Sequence, residues 1–235
     1  MNLILLFQED FKDMERVSLR GRRLEHVLNV HRASVGDLLC VGLLNGKIGT
    51  GIVTHLDNES LEMDVLLDRD PPPPLDVTLI LALPRPIVLK RVLLSASSLG
   101  VKLIILLHSL RVEKSYWNSP ALDEEKIKEQ LVLGLEQSRD TILPEVLQRP
   151  KFKPFVEDEL PGMIKGTLPL VAHPGASEPC PRLTDLPVTL AIGPEGGFIP
   201  YEVKLLETLG FKSVSLGERI LRVETAVPVL LSRLF

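Results

Sequence analysis

The sequence predicts an α/β chain in two parts: a small barrel-like β domain over residues 1–70 and a parallel-sheet domain over residues 75–235. Three observations carry that expectation. Four consecutive prolines, Pro71 to Pro74, follow Asp68-Arg69-Asp70 and can continue neither a helix nor an interior strand, so they mark a stiff extended connection. Before them, short apolar runs are punctuated by glycine and turn residues. After them, apolar runs of strand length alternate with helical stretches, the pattern of a parallel sheet covered on both faces.

In the first part, Leu38–Leu44, Ile48–Leu56 and Leu61–Leu67 read as strands. Asn45-Gly46 predicts a type I′ hairpin between the first two, and Asp57-Asn58-Glu59 turns the next pair. Leu3–Phe7 reads as an opening strand, because acids flank it where a signal peptide carries a basic region. One short helix is expected around Leu24–Val30.

In the second part, strands are expected at Val77–Leu83, Leu103–Leu107, Leu168–Ala172, Val188–Ile192 and Ser213–Leu216. A helix over Ile87–Leu99 should stop at Gly100, a natural residue just past a helix end. Asp123–Ser138 sets Ile127, Leu131 and Leu135 on one face, with acids crowding its N-terminus. A third helix begins near Pro200, with Glu202 in its first turn, and ends at Gly210. Val146–Lys165 carries prolines and charges with weak periodicity, which predicts no defined element.

With 45% hydrophobic and 25% charged residues over 235 positions, the chain can bury a real core, which excludes the disordered, collagen-like and disulfide-scaffold classes. No stretch approaches the roughly 18 apolar residues of a membrane span. Cys40 and Cys180 lie far apart and outside any metal-ligand spacing; a reduced thiol pair in the cytoplasm is the simplest reading, and no metal is expected. The net charge of −4 argues, on bulk charge alone, against a nucleic-acid partner. Locally the balance differs: Arg16, Arg20, Arg22, Arg23 and Arg32, with His26 and His31, crowd a segment whose only interior acid is Glu25. A phosphate-binding surface and a solvated charged face both fit that cluster.

Three strand ends stand out. Gly193-Pro194-Glu195-Gly196-Gly197 follows a buried strand and precedes a helix; its glycines permit positive φ and close backbone approach to a ligand. It is neither a P-loop nor a GxGxxG fingerprint, and a structural turn explains it equally well. Leu216–Ala226 mixes Arg and Glu with apolar residues, as a pocket edge does, and an ordinary β–α junction is the alternative. Thr225 is expected to cap the next helix, which puts Pro228 in its first turn. The third end is Leu170-Val171-Ala172-His173-Pro174-Gly175, where His173 is a structural residue or a base. Three parallel strands that each end in a glycine-bearing loop favour one ligand site at their carboxyl ends.

The strings Ile192-Gly-Pro-Glu-Gly-Gly-Phe198 and Leu216-Gly-x-x-Ile-Leu-Arg-x-Glu-Thr-Ala226 resemble the two signatures of the ribosomal RNA small-subunit methyltransferase E family, within the SPOUT class of knotted methyltransferases. Glu136-Gln137-Ser138 with Pro144-Glu145, Leu99-Gly100-Val101, His173-Pro174, and His26-Val27-Leu28 with Val35-Gly36-Asp37 match further patterns in the same order, so the resemblance spans the chain. It implies a PUA-like β-barrel that helps hold RNA, then a SPOUT-type α/β trefoil-knot domain. It also implies a homodimer that uses S-adenosylmethionine to methylate N3 of a uridine, uridine 1498, in 16S rRNA of the small ribosomal subunit.

Carried onto this sequence, the resemblance implies cofactor contacts from Leu170, His173 and Pro174, from Gly193, Pro194, Glu195, Gly196 and Gly197, and from Leu216, Gly217, Ile220, Leu221, Thr225 and Ala226. Arg222 would stabilise the uracil anion, and Glu224 would accept a proton or orient Arg222. RNA contacts would come from Arg16, Arg20, Arg22, Arg23, His26 and Arg32. Departures from the family pattern occur at Asn29, Ser98 and Pro228, and Leu110-Arg111-Val112 stands where Glu-Arg-Ser is common. They leave open an RNA-binding or ribosome-assembly protein without turnover, and a SPOUT methyltransferase with another RNA target.

Overall fold

A computed structural model describes residues 2–235. Packing divides it into two units: one runs through Pro73 and takes in Val132–Leu143, and the other comprises Pro74–Leu131 and Pro144–Phe235.

The first unit is a five-stranded sheet built from β1 (Ile4–Leu6), β2 (Arg16–Leu19), β3 (Leu38–Leu43), β4 (Ile48–Leu56) and β5 (Leu61–Arg69). The order is β1-β3-β4-β5-β2, and only the β1–β3 pair is parallel. A short helix, α1 (Arg22–His26), continues through a wider turn at Val27–His31 and stops at Arg32, whose φ of 53° is left-handed. Alternate residues face the core as strand geometry requires: Val17 and Leu19, Leu39 and Val41, and Leu61, Met63 and Val65. β1 breaks that alternation because both of its faces are covered. Ile4 and Leu6 pack into the same core as Leu24 and Val27, while Leu3 and Leu5 pack on Ile48, Val132 and Leu135.

The β3–β4 hairpin forms, but its turn is not type I′. Asn45 has a φ of 58°, yet Gly46 is not among the positive-φ glycines. The N–H of Gly46 donates to the Leu43 carbonyl at 2.8 Å, that of Asn45 to the Thr141 carbonyl at 2.8 Å, and the Asn45 side-chain oxygen accepts from Leu143 N–H at 2.9 Å. Partners remote in sequence thus outweigh the local dipeptide preference. The next turn closes as expected: Asp57 accepts from the N–H groups of Glu59 and Ser60, which hold its carboxyl at about 2.

Two arginines lock this unit. Arg23 makes a forked pair with Asp10 at 2.5 and 2.7 Å, donates to the Leu5 carbonyl at 2.9 Å, and lies 4.9 Å over the Phe7 ring. Arg22 forks onto Glu136 at 2.8 and 2.9 Å; the carboxylate of Glu136 is 1% exposed, and its carbonyl accepts from Asn2 and Leu3.

The second unit holds β6 (Val77–Ala82), β7 (Leu103–Leu107), β8 (Glu145–Arg149), β9 (Leu168–Ala172), β10 (Val188–Ile192) and β11 (Lys212–Val214). All pair parallel, in the order β11-β9-β10-β6-β7-β8. The helices are α2 (Pro86–Ser98), α3 (Glu124–Ser138, whose residues from Val132 on belong to the first unit), α4 (Phe152–Pro154), α5 (Leu160–Met163), α6 (Pro200–Thr208) and α7 (Val223–Leu234). The expected stops hold: Gly100 and Gly210 follow α2 and α6 with φ of 86° and 97°.

Two expectations need correction. Val146–Lys165 is not featureless: it begins within β8, an edge strand, and continues as one helical stretch in which α4, a wider turn at Phe155–Glu159 and α5 follow one another. β8 lacks an apolar run because it is half-exposed, and only Phe155, Val156 and Leu160 of the helical stretch are buried. Second, Thr225 does not cap α7. Arg222 occupies the N-cap position in extended conformation (φ −67°, ψ 153°), and its carbonyl accepts from Thr225 and Ala226. Pro228 therefore sits inside the helix.

The end of α7 is held by the segment between β9 and β10. Leu183 and Thr184 donate to the carbonyls of Arg233 and Leu234, and Arg233 Nε donates to the Cys180 carbonyl at 2.7 Å. Burial pushes the Cys180 thiol up in pKa. Among the described residues no helix is long and apolar enough to cross a membrane.

Removing Arg23 would strand a nearly buried carboxylate. Arg23→Ala is expected to lower the stability of the protein by on the order of 3 kcal/mol. Arg20→Ala, at an exposed site, should stay within about 0.5 kcal/mol of the parent. Urea denaturation midpoints compare the two; equal midpoints would remove Arg23 from the framework.

Candidate active site

Because β11, β9 and β10 are neighbours, their carboxyl ends open side by side. The loops leaving them enclose a cavity of ≈ 270 Å³. β9 contributes His173 and Pro174; the loop after β10 contributes Gly193, Pro194, Glu195 and Gly197; the loop after β11 contributes Leu216, Gly217, Ile220, Leu221 and Arg222; Ala226 comes from α7. Four of the residues singled out in the sequence lie off the lining. Leu170 is buried in the middle of β9, Gly196 turns its carbonyl to the Arg111 guanidinium, Thr225 is exposed on α7, and Glu224 lies 3.5 Å from Arg91 of α2.

Sequence reasoning left out the floor. Ala172, Ile192 and Val214 are the last residues of the three strands, and Phe198, Val223 and Leu230 complete an apolar base, with Ser215 and Arg219 at the sides. Each of the three ends a strand just before a glycine-bearing loop, a place the sequence does mark. Arg219 lies between Gly217 and Ile220 of the second family signature, at a position that signature leaves open.

The loop geometry depends on close backbone approach. A Cβ on Gly193 would sit 2.8 Å from the Phe198 nitrogen, and Gly197 and Gly217 have φ of 73° and 105°. Loop hydrogen bonds fix part of the frame. Gly197 N–H donates to the Pro194 carbonyl at 2.7 Å, and Glu195 accepts from Arg85 N–H at 3.0 Å. Gly175 N–H donates to His173 Nδ1 at 3.1 Å, which leaves Nε2 to carry the proton of the neutral ring. Among the described residues, the N–H groups of Leu216 to Leu221 donate to no acceptor in the chain, so they remain available to a ligand.

Behind the loop after β10 lies Glu202, 3% exposed. One carboxylate oxygen accepts from Ile199 N–H at 3.0 Å, which caps α6, and the other from Leu110 N–H at 2.7 Å. This buried carboxylate ties the loop after β7 to the start of α6.

The basic cluster of the first unit is unevenly occupied. Arg16 pairs with Asp64 at 3.1 Å, and Arg22 and Arg23 are committed to Glu136 and Asp10. Arg20 and Arg32 are exposed and make no ion pair among the described residues. His26 is half-buried, 5.1 Å from the His31 ring; its Nε2 is buried without a hydrogen-bond partner, and burial pushes its pKa down.

Residues 71–235 match the model of the RNA methyltransferase domain family. Over 96% of its length the chain is 30% identical to the ribosomal RNA small subunit methyltransferase E of Treponema pallidum, of which it covers 87%. The chain belongs to the ribosomal RNA small subunit methyltransferase E family. A second family member, from Borreliella burgdorferi, is 24% identical over 96% of this chain and 94% of its own length. The structure of the Neisseria gonorrhoeae methyltransferase E, solved bound to S-adenosyl methionine, superposes with a TM-score of 0.75 at 24% identity, covering 99% of this chain and 95% of that one. A Legionella pneumophila structure in complex with SAM gives a TM-score of 0.74 at 25% identity, with 99% and 96% coverage. The methyltransferase E fold, a PUA-like barrel unit and a SPOUT-type α/β unit, is thus the fold of this chain.

Within this family member, Glu202 offers a direct test of how the site is framed. Glu202→Ala is expected to lower stability by about 1–2 kcal/mol, the cost of a lost cap with an orphaned donor. Amide exchange at Leu110 and Ile199 should accelerate together; exchange at neither site would show that the carboxylate does not frame the loops.

Proposed function

We propose that this chain is an S-adenosylmethionine-dependent methyltransferase that methylates N3 of uridine 1498 in 16S rRNA, acting as a homodimer on the small ribosomal subunit in the cytoplasm. The observation that carries this reading is the cavity at the carboxyl ends of β9, β10 and β11, with an apolar floor, free backbone donors and Arg222 at its edge. Those residues fit the cofactor: the floor of Ile192, Val214, Phe198 and Leu230 accepts its apolar surfaces, and the N–H groups of Leu216 to Leu221 suit the acceptor edge of an adenine. When bound, S-adenosylmethionine supplies an activated methyl group.

Uracil N3 must give up its proton, here to solvent water, as it would accept the methyl group released by breaking the sulfonium C–S bond, and negative charge develops on the neighbouring carbonyl oxygens. Arg222, permanently protonated and fork-shaped, offsets that charge. Its guanidinium has no ion-pair partner among the described residues, so it is free to do so. Glu224, paired with Arg91, acts as a positioning residue: it braces the first turn of α7, whose N-cap is Arg222. A carboxylate in that turn also complements the helix dipole. In the barrel, Arg20 and Arg32 are exposed, make no ion pair among the described residues and are free to meet RNA, and Arg16, exchanging Asp64 for phosphate, is a third.

Mass-spectrometric mapping of 16S rRNA from a deletion strain tests the reading: uridine 1498 should lose its methyl group and regain it on complementation. Full methylation in the deletion strain would defeat the assignment, and loss at another nucleotide would redirect it to a different RNA site. Arg222→Ala is expected to lower methyl transfer at least about 100-fold, while calorimetry gives nearly unchanged cofactor affinity. Equal loss of both would make Arg222 structural.

Gly193→Ala is expected to weaken cofactor affinity about tenfold, because the new methyl group forces the loop off Phe198. Parental affinity in calorimetry would remove that loop from the cofactor site.

A further inference from the structure

Four arginines that make no ion pair among the described residues stand around the cavity. Arg219 and Arg222 line it. Arg85 and Arg111 stand at its rim, joined to the loop after β10 by hydrogen bonds: Arg85 N–H donates to Glu195, and the Arg111 guanidinium donates to the Gly196 carbonyl. All four side chains are exposed, and none forms an ion pair among the described residues. Most of the acids nearby are engaged, Glu202 by the N–H groups of Leu110 and Ile199. Glu195 accepts from the Arg85 backbone, Glu218 is exposed in the loop after β11, and Glu224 is taken up by Arg91. Three of the five arginines in the basic segment of the barrel, by contrast, have carboxylate partners.

An exposed guanidinium without a carboxylate partner is weakly hydrated and matches a phosphate in geometry and charge. One such group is unremarkable. Four set around a single cavity, in a chain whose net charge is −4, give that edge of the sheet a local excess of positive charge.

We infer that Arg85, Arg111 and Arg219 form a phosphate-binding rim that takes the RNA backbone on either side of the target nucleotide, leaving Arg222 for the base. The inference rests on the proposed function, since it supposes an RNA substrate entering this cavity. The rim grips the strand where the reacting base must be presented, so register at the cavity is set by the catalytic unit's own cations.

The test measures affinity for a short single-stranded RNA carrying the target sequence, across a series of NaCl concentrations, with the full-length protein. The logarithm of affinity falls with the logarithm of salt by about 0.7 per phosphate contact on a single strand. Arg85→Gln combined with Arg219→Gln is therefore expected to make the slope shallower by about 1.4 in total. Arg111 is kept in this variant because it also holds the Gly196 carbonyl. Cofactor affinity of the single variant Arg85→Gln, whose residue lies off the cavity lining, should stay within twofold of the parent by calorimetry, which also reports an intact fold.

An unchanged salt slope overturns the rim. So does a fall in cofactor affinity that matches the fall in RNA affinity, because the arginines would then be supporting the loops. A parent protein that shows the steep slope but does not methylate 16S rRNA defeats the functional reading instead, and the rim is then judged on the slope of the variant alone.

Discussion

Parallel pairing constrains everything in the second unit. Parallel strands cannot be joined by hairpins, so every strand sends its carboxyl end to the same edge of the sheet, and the crossover order decides which ends become neighbours. Here β9 lies between β11 and β10, which brings together three loops that are separated by up to about forty residues of chain. β10 is buried along its whole length. Its one polar side chain, Thr189, is buried and bonded to the Thr167 hydroxyl, so the chemistry has to come from the loop that follows the strand. Glycines there let the backbone serve as the ligand surface, and charged residues are pushed outward to the rim.

The distribution of arginine follows from the same economy of burial. In the barrel unit, Arg22 and Arg23 sit where the chain also buries Glu136 and Asp10, and a carboxylate removed from water needs a cation held in good geometry. These arginines satisfy the interior. Around the cavity the buried carboxylate of Glu202 is satisfied by the N–H groups of Leu110 and Ile199, and the guanidinium groups stay available to a partner. Charge density in sequence does not reveal which cations are already matched, as Arg22 and Arg23 are and Arg20 and Arg32 are not.

Legibility in the sequence followed burial. β6, β7, β9 and β10 are continuous apolar runs because both their faces are covered, and each appears within about a residue or two of its expected place. β8 is an edge strand reading Glu-Val-Leu-Gln-Arg, half-exposed, and leaves no such trace. Leu3–Phe7 reads as a strand, but what covers its second face, Val132 and Leu135, is more than a hundred residues away and no local pattern announces it. The Asn45 turn fails for the same reason: Thr141 and Leu143 set its conformation. At the site, the glycine loops were legible because they need special backbone freedom. The partner of Glu224 was not, since Arg91 lies on a helix far earlier in the chain.

Pro228 shows how the last helix depends on its surroundings. A proline inside a helix removes the hydrogen bond to the carbonyl four residues earlier, here that of Glu224, and costs about 3 kcal/mol. The ladder alone would not hold the first two turns of α7. What offsets the loss is tertiary: Val223, Val227, Leu230, Leu231 and Leu234 are buried, Arg91 reaches Glu224, and Leu183 and Thr184 hold the far end through backbone bonds. Arg222 stands at the N-cap of this helix and at the edge of the cavity at once. Its position is therefore set by how α7 packs against α2 and the β9–β10 segment, so contacts remote from the cavity control where the guanidinium points.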